Sequence, residues 1–87
     1  MKHFVYIVEC SDSKFYTGIT WNIRKRIAEH NNGLSISTKS RLPVRLVYWE
    51  EFDTRFKAAK REKEIKGWSR LKKLGLIISV NERISSH

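Results

Sequence analysis

The stretch from His3 to Cys10, HFVYIVEC, is apolar on both of its alternating sets: Phe4, Tyr6 and Val8 on one, Val5 and Ile7 on the other. Successive side chains of a β-strand point to opposite faces, so a strand of this kind needs cover on both sides. The pattern predicts a central strand, flanked in its sheet and packed above and below. A chain of 87 residues limits how that cover is supplied. One domain is expected over 1–87, with its core about 3–81, because a second core would have too little chain to bury it.

The remaining elements follow from local signals. Ser11 to Lys14 is turn chemistry, and Phe15 to Thr20 reads as the return strand of a hairpin. Asn22 can cap a helix through IRKRIAEHN, which the Asn-Asn-Gly at 31–33 stops. The polar loop LSISTKSR leads to Pro43 and a third strand, VRLVYWEEF (44–52). Thr54 can cap a second helix over 55–66, ended by Gly67, and Ser69 a third, shorter one through RLKKLGLIIS (70–79). The expected class is α+β: a small three-stranded, mainly antiparallel sheet flanked by helices, in the order β-β-α-β-α-α.

Composition removes several functions. Cys10 is the only cysteine, so no disulfide can form within the chain, which fits a reducing compartment. No apolar run approaches the roughly 20 residues of a membrane span, and the N-terminus lacks a signal-peptide core. A soluble, cytoplasmic protein without a membrane partner is expected. There is no glycine-rich phosphate loop, and His3, His30 and His87 lack zinc spacing. Trp21, Trp49 and Trp68 could stack bases, but their spacing suits core or rim positions better.

Charge is more informative. The net charge is +9, and between Arg55 and Lys73 nine basic residues stand against two acidic ones. Such a tract suits a polyanion, whose condensed counterions are released as its phosphates are neutralised. It also suits a solvated helix face. Lys60, Lys63, Lys66 and Arg70 are its substrate-binding candidates.

Helical periodicity sorts the ionisable residues. In the first helix Ile23 and Ile27 define the buried stripe, and Arg26 and His30 stack one turn apart on its shoulder. Either Arg26 lays its stem on apolar surface while His30 serves the helix end, or the two face a site. In the second helix Ala58, Ala59 and Ile65 form the apolar side with Glu62 near its middle, while Glu64 falls among the lysines. A carboxylate on a buried stripe is costly unless paired or bound to a metal. Its possible roles are a salt bridge, for instance to Arg26, a metal ligand or a catalytic carboxylate. Phe56 does not fit the stripe.

Taken together, these segments resemble the GIY-YIG nuclease domain, and within it the small stand-alone bacterial proteins. FVY (4–6) corresponds to the first signature triplet and YTG (16–18) to the second. NIRKRIAEHN is similar to the family's arginine-containing helix, TKSRLPVRLVY to the loop and third strand of the stand-alone group, and AAKREKEIKGWSRLKKLGLI to its most recognisable stretch. Phe4 and Val5 depart from the glycine and isoleucine of the first triplet. After Asn81 the chain reads ERISSH, where the group continues with a proline and an aromatic.

The resemblance implies a catalytic set of Tyr6, Tyr16, Arg26, His30 and Glu62, with Glu62 as metal ligand and Gly18 and Asn81 at the substrate. It implies a DNA endonuclease using one Mg²⁺ or Mn²⁺ ion, with a place in repair or recombination and little sequence specificity. A protein partner would supply specificity, since the chain has no targeting domain. In this scheme the ion acts as a Lewis acid on the phosphate and leaving oxygen. Arg26 offers its donor fork to the non-bridging oxygens. Tyr6 activates the attacking water as a phenolate favoured by nearby cations, His30 accepts the proton, and Tyr16 positions water or phosphate. Gly18 would let backbone or substrate approach closely. Two other outcomes remain open at this level: a non-cleaving or partner-dependent nucleic-acid-binding module, and an interaction domain in which Glu62 merely forms a salt bridge.

Overall fold

The computed structural model describes the backbone of residues 1–85 and the side chains of residues 1–80. The side chain of Asn81 and the whole of His87 therefore lie outside the described residues. Strands β1 (His3–Glu9), β2 (Phe15–Thr20) and β3 (Arg45–Phe52) form one sheet in the order β2-β1-β3. Both pairings are antiparallel, and β1 is central, as its two apolar sets require. Helix α1 (Ile23–Asn31) follows the hairpin, and α2 (Arg55–Lys66) and α3 (Arg70–Ser85) follow β3.

Alternation along β1 divides the core in two. Val5 and Ile7 pack with Tyr48, Ala58, Ile65 and Ile77, so α2 and α3 cover that face. Tyr6 and Val8 pack on the other face with Cys10 and Val44, joined by Ile27 of α1. The predicted helix starts are built as capped ends: Asn22, Thr54 and Ser69 accept from the amides of Lys25, Lys57 and Lys72. At the end of α1, Gly33 adopts φ +76°. The amides of Gly33 and Leu34 return to the carbonyls of His30 and Glu29, a Schellman-type stop that a left-handed glycine makes possible.

Two boundaries differ from the sequence expectation. β3 begins at Arg45 rather than Val44, because the Asn31 side chain binds both backbone groups of Val44. Its Oδ1 accepts from the Val44 amide at 2.8 Å and its Nδ2 donates to the carbonyl at 3.2 Å. α3 runs for 16 residues and is the longest helix, not a short one. Gly75 is tolerated within it, and neither proline nor a further glycine follows to break the turns beyond Ser79. Phe56, which fits no stripe, is exposed on α2; Trp68 packs against the first core, while Trp21 and Trp49 are about half exposed at 55% and 53%. No helix among the described residues is long and apolar enough to cross a membrane.

Candidate active site

The site grows from the pairing of β1 with β2. Tyr6 lies directly opposite Gly18. A Cβ built on Gly18 would sit 2.6 Å from the Tyr6 hydroxyl and 2.8 Å from Cζ. The glycine therefore admits the Tyr6 side chain, which lies across β2. The sequence reading gave that space to backbone or substrate; a neighbouring side chain fills it instead.

Around the Tyr6 hydroxyl the second core turns polar. His30 Nε2 stands 2.8 Å from it, and Arg26 Nε donates to it at 3.3 Å. On the far side of the imidazole, Nδ1 is 2.7 Å from Thr38 Oγ1. Arg26 also reaches Glu29 at 3.4 Å. Arg26 N–H donates to the Tyr6 oxygen, and the directions of the two imidazole bonds follow the His30 tautomer: with Nδ1–H donating to Thr38, Tyr6 O–H donates to Nε2. His30 and Thr38 are wholly buried, so their bonds are held away from water. The ring of Tyr16 closes the group, 5.3 Å from the His30 ring and 6.4 Å from Tyr6.

Burial controls the protonation of this group. It pushes the Tyr6 phenol up to about 12, outweighing the opposing pull of the Arg26 charge and hydrogen bond. Of the two cations expected to favour the phenolate, Arg26 alone does not offset burial. Burial, helped by Arg26, lowers His30, so its imidazole is a neutral proton acceptor.

Glu62 is half-buried on α2, and its charge is felt at Tyr6. Its partner is Lys66, one turn further on, at 3.3 Å. Arg26, offered by the sequence as a salt-bridge partner, is instead engaged with Tyr6 and Glu29. Lys66 also lies 5.9 Å over the Tyr16 ring, which brings the Glu62 end of α2 beside β2. No group of three or more His, Cys, Asp or Glu among the described residues could hold a metal ion. A single half-buried carboxylate fits an ion that takes its other ligands from water and phosphate, as Mg²⁺ commonly does.

Of the basic candidates, Lys66 stands beside the tyrosines. Arg70 lies at the β1–β2 hairpin, 4.5 Å over the Phe15 ring. Lys60 and Lys63 are exposed on α2 and are not brought to the Tyr6 group. Thr38, which fixes the imidazole, was missed by the sequence reading. It sits in an irregular segment, where no periodicity marks a residue as buried.

Tyr6, His30 and Arg26 thus form one hydrogen-bonded group, with the charge of Glu62 felt at it, on a β-β-α-β-α-α frame. The chain belongs to the GIY-YIG nuclease family: residues 2–74 match the model of the GIY-YIG catalytic domain. It is 57% identical to a UPF0213 protein of Staphylococcus saprophyticus over 77 residues, 87% of this chain and 94% of the relative. It is 53% identical to a UPF0213 protein of Haloquadratum walsbyi over 72 residues, 82% of this chain and 81% of that protein. The solution structure of a UPF0213 protein from Bacillus halodurans superposes with a TM-score of 0.59 at 41% identity, covering 88% of this chain and 83% of the other. A solution structure from E. faecalis gives 0.64 at 32% identity, covering 93% and 88%.

Proposed function

We propose that the protein is a divalent-metal-dependent endonuclease that hydrolyses DNA phosphodiester bonds, a cytoplasmic enzyme of DNA repair or recombination. The observation that carries this reading is the bond chain from Arg26 through Tyr6 to His30 and Thr38. A phenol that keeps its proton cannot take one from water unless it gives its own away. His30 Nε2, neutral and 2.8 Å distant, is placed to receive it. As water attacks phosphorus and the bond to the leaving oxygen breaks, the water proton moves to the Tyr6 oxygen and the Tyr6 proton moves to Nε2. In the tautomer whose Nδ1–H donates to Thr38, Nε2 is free to accept. Arg26 carries a permanent charge for the non-bridging oxygens, and Tyr16 positions the water or phosphate.

Glu62 would hold the ion, one Mg²⁺ or Mn²⁺, which when bound acts as a Lewis acid on the phosphate and the leaving oxygen. Lys60, Lys63, Lys66, Arg70 and Asn81 would bind the DNA backbone with little regard to sequence, and a protein partner would supply target choice. The test is nicking of supercoiled plasmid and of branched DNA with Mg²⁺ or Mn²⁺. Glu62→Gln should abolish product, and undiminished cleavage by that variant would sink the mechanism.

A second reading, a nucleic-acid-binding module that does not cleave, draws support from the Glu62–Lys66 ion pair, which already engages the carboxylate. Salt-dependent retention of DNA with no product under either metal would establish it.

A further inference from the structure

At the start of β2 a cleft of about 300 Å³ is lined by Lys14, Phe15, Arg70 and Lys73. Three of these four carry positive charge and none is acidic. Arg70 is held in place, stacked on Phe15 at 4.5 Å and donating to the Ser13 carbonyl in the hairpin turn. Lys14 and Lys73 have no acidic partner among the described residues. Like charges converging on one cleft repel each other, and an anion between them reverses the sign of the interaction.

The cleft is also in the right place. β2 is an edge strand, and Phe15 is followed directly by Tyr16. Lys66, over the Tyr16 ring, ends α2, and Arg70 and Lys73 lie in the first turn of α3 after the short connection at 67–69, so these cations lead from the tyrosines to the hairpin. Strand rise separates Phe15 from Gly18 by about 10 Å along β2, and Phe15 faces α2 and α3 whereas the Tyr6 hydroxyl lies on the opposite face, so the path between them crosses the β2 edge. A strand on that path spans at least about three nucleotides.

We propose that this cleft is a flanking phosphate subsite. It holds a backbone phosphate of the cut strand at least about three nucleotides from the bond broken at Tyr6. The proposal rests on the nuclease reading and deepens it: the strand must continue past the cut on the hairpin side to bind fully.

The experiment uses Glu62→Gln protein, so that binding is read without turnover. Affinity for a short duplex is followed over a range of salt, with and without Lys14→Ala/Lys73→Ala. One lost phosphate contact should lower the slope of log affinity against log salt by about 0.9. Lys2→Ala, at the other end of the sheet, should leave the slope unchanged. A second arm keeps both lysines and places an uncharged methylphosphonate at successive positions. One position, at least about three nucleotides from the cut, should weaken binding to the parent but not to the lysine variant. An unchanged slope in the lysine variant, or a methylphosphonate effect independent of the lysines, overturns the subsite while leaving the nuclease reading standing. If the parent binds no DNA at any salt, the nuclease reading itself has failed.

Discussion

Gly18 and Tyr6 face each other so closely that each limits what the other can be. Gly18→Ala puts a methyl 2.6 Å from the Tyr6 hydroxyl, so the ring must leave its bonds to His30 and Arg26. Overpacking of this kind costs about 1–3 kcal/mol. Tyr6→Phe removes the oxygen and part of the clash, so Gly18→Ala should cost less in that background, by about 1 kcal/mol in urea unfolding. Strictly additive costs would show that the clash is relieved elsewhere. His30 gives the residue scale a pH signature. Its pKa in the folded chain lies below the ordinary 6.5. An unfolded histidine takes up its proton near that value and the native one only at lower pH, so the unfolded state binds more protons as pH falls. The His30 contribution is complete above pH ~6.5 and is lost below it until the native imidazole titrates too. Stability from pH 7 to 5 should therefore fall more steeply in the parent than in His30→Gln; parallel profiles would show that burial does not hold His30 neutral.

Among the elements, α1 depends most on single bonds. Its last residue, Asn31, ties the helix to the start of β3 through both backbone groups of Val44. Asn31→Ala leaves those buried groups short of partners, at about 1–3 kcal/mol. The Val44 amide should lose hydrogen-exchange protection, and DNA nicking should fall with it because His30 is the adjacent residue; retained protection at Val44 would count against the tie. The same residue shows where the sequence is legible. Asn22, Thr54 and Ser69 are readable as caps because capping is settled within one turn of chain. β1 is readable as central because its two apolar sets admit no other position. Asn31 reads as part of an Asn-Asn-Gly stop, and nothing local says that its amide reaches a strand 13 residues away. Thr38 is hidden for the same reason: its partner His30 is fixed by tertiary packing, not by spacing. α3 continues past Ser79 because the end of its apolar stretch is not a stop, and neither glycine nor proline stands there to break it. Tyr6, Arg26 and His30 meet as the helix face and strand alternation suggest, but the state of the phenol needed the burial that only the fold supplies.

At the scale of the whole molecule, Glu62 lies inside a strongly positive field. The chain carries +9, concentrated around the helix that holds Glu62. That field favours phosphate and opposes a divalent cation, so the two ligands of the proposed reaction make opposite demands on the same charges. Lys66 is where they meet, since it pairs with Glu62 at 3.3 Å and lies over Tyr16. An ion on Glu62 must compete with the ammonium, whereas a DNA phosphate is drawn to it. Lys66→Gln should separate the two effects. The Mn²⁺ concentration for half-maximal nicking should fall, because Glu62 is released from its partner. Affinity for DNA should fall as well, with a salt slope smaller by about 0.9 if one phosphate contact is lost. The pair is part-exposed, so its own contribution to stability is small, within about 1 kcal/mol, and the melting temperature should barely move. A rise in the Mn²⁺ requirement would instead mean that Lys66 orients Glu62 for the ion rather than competing with it. The ion pair would then belong to the working site and not to its resting state.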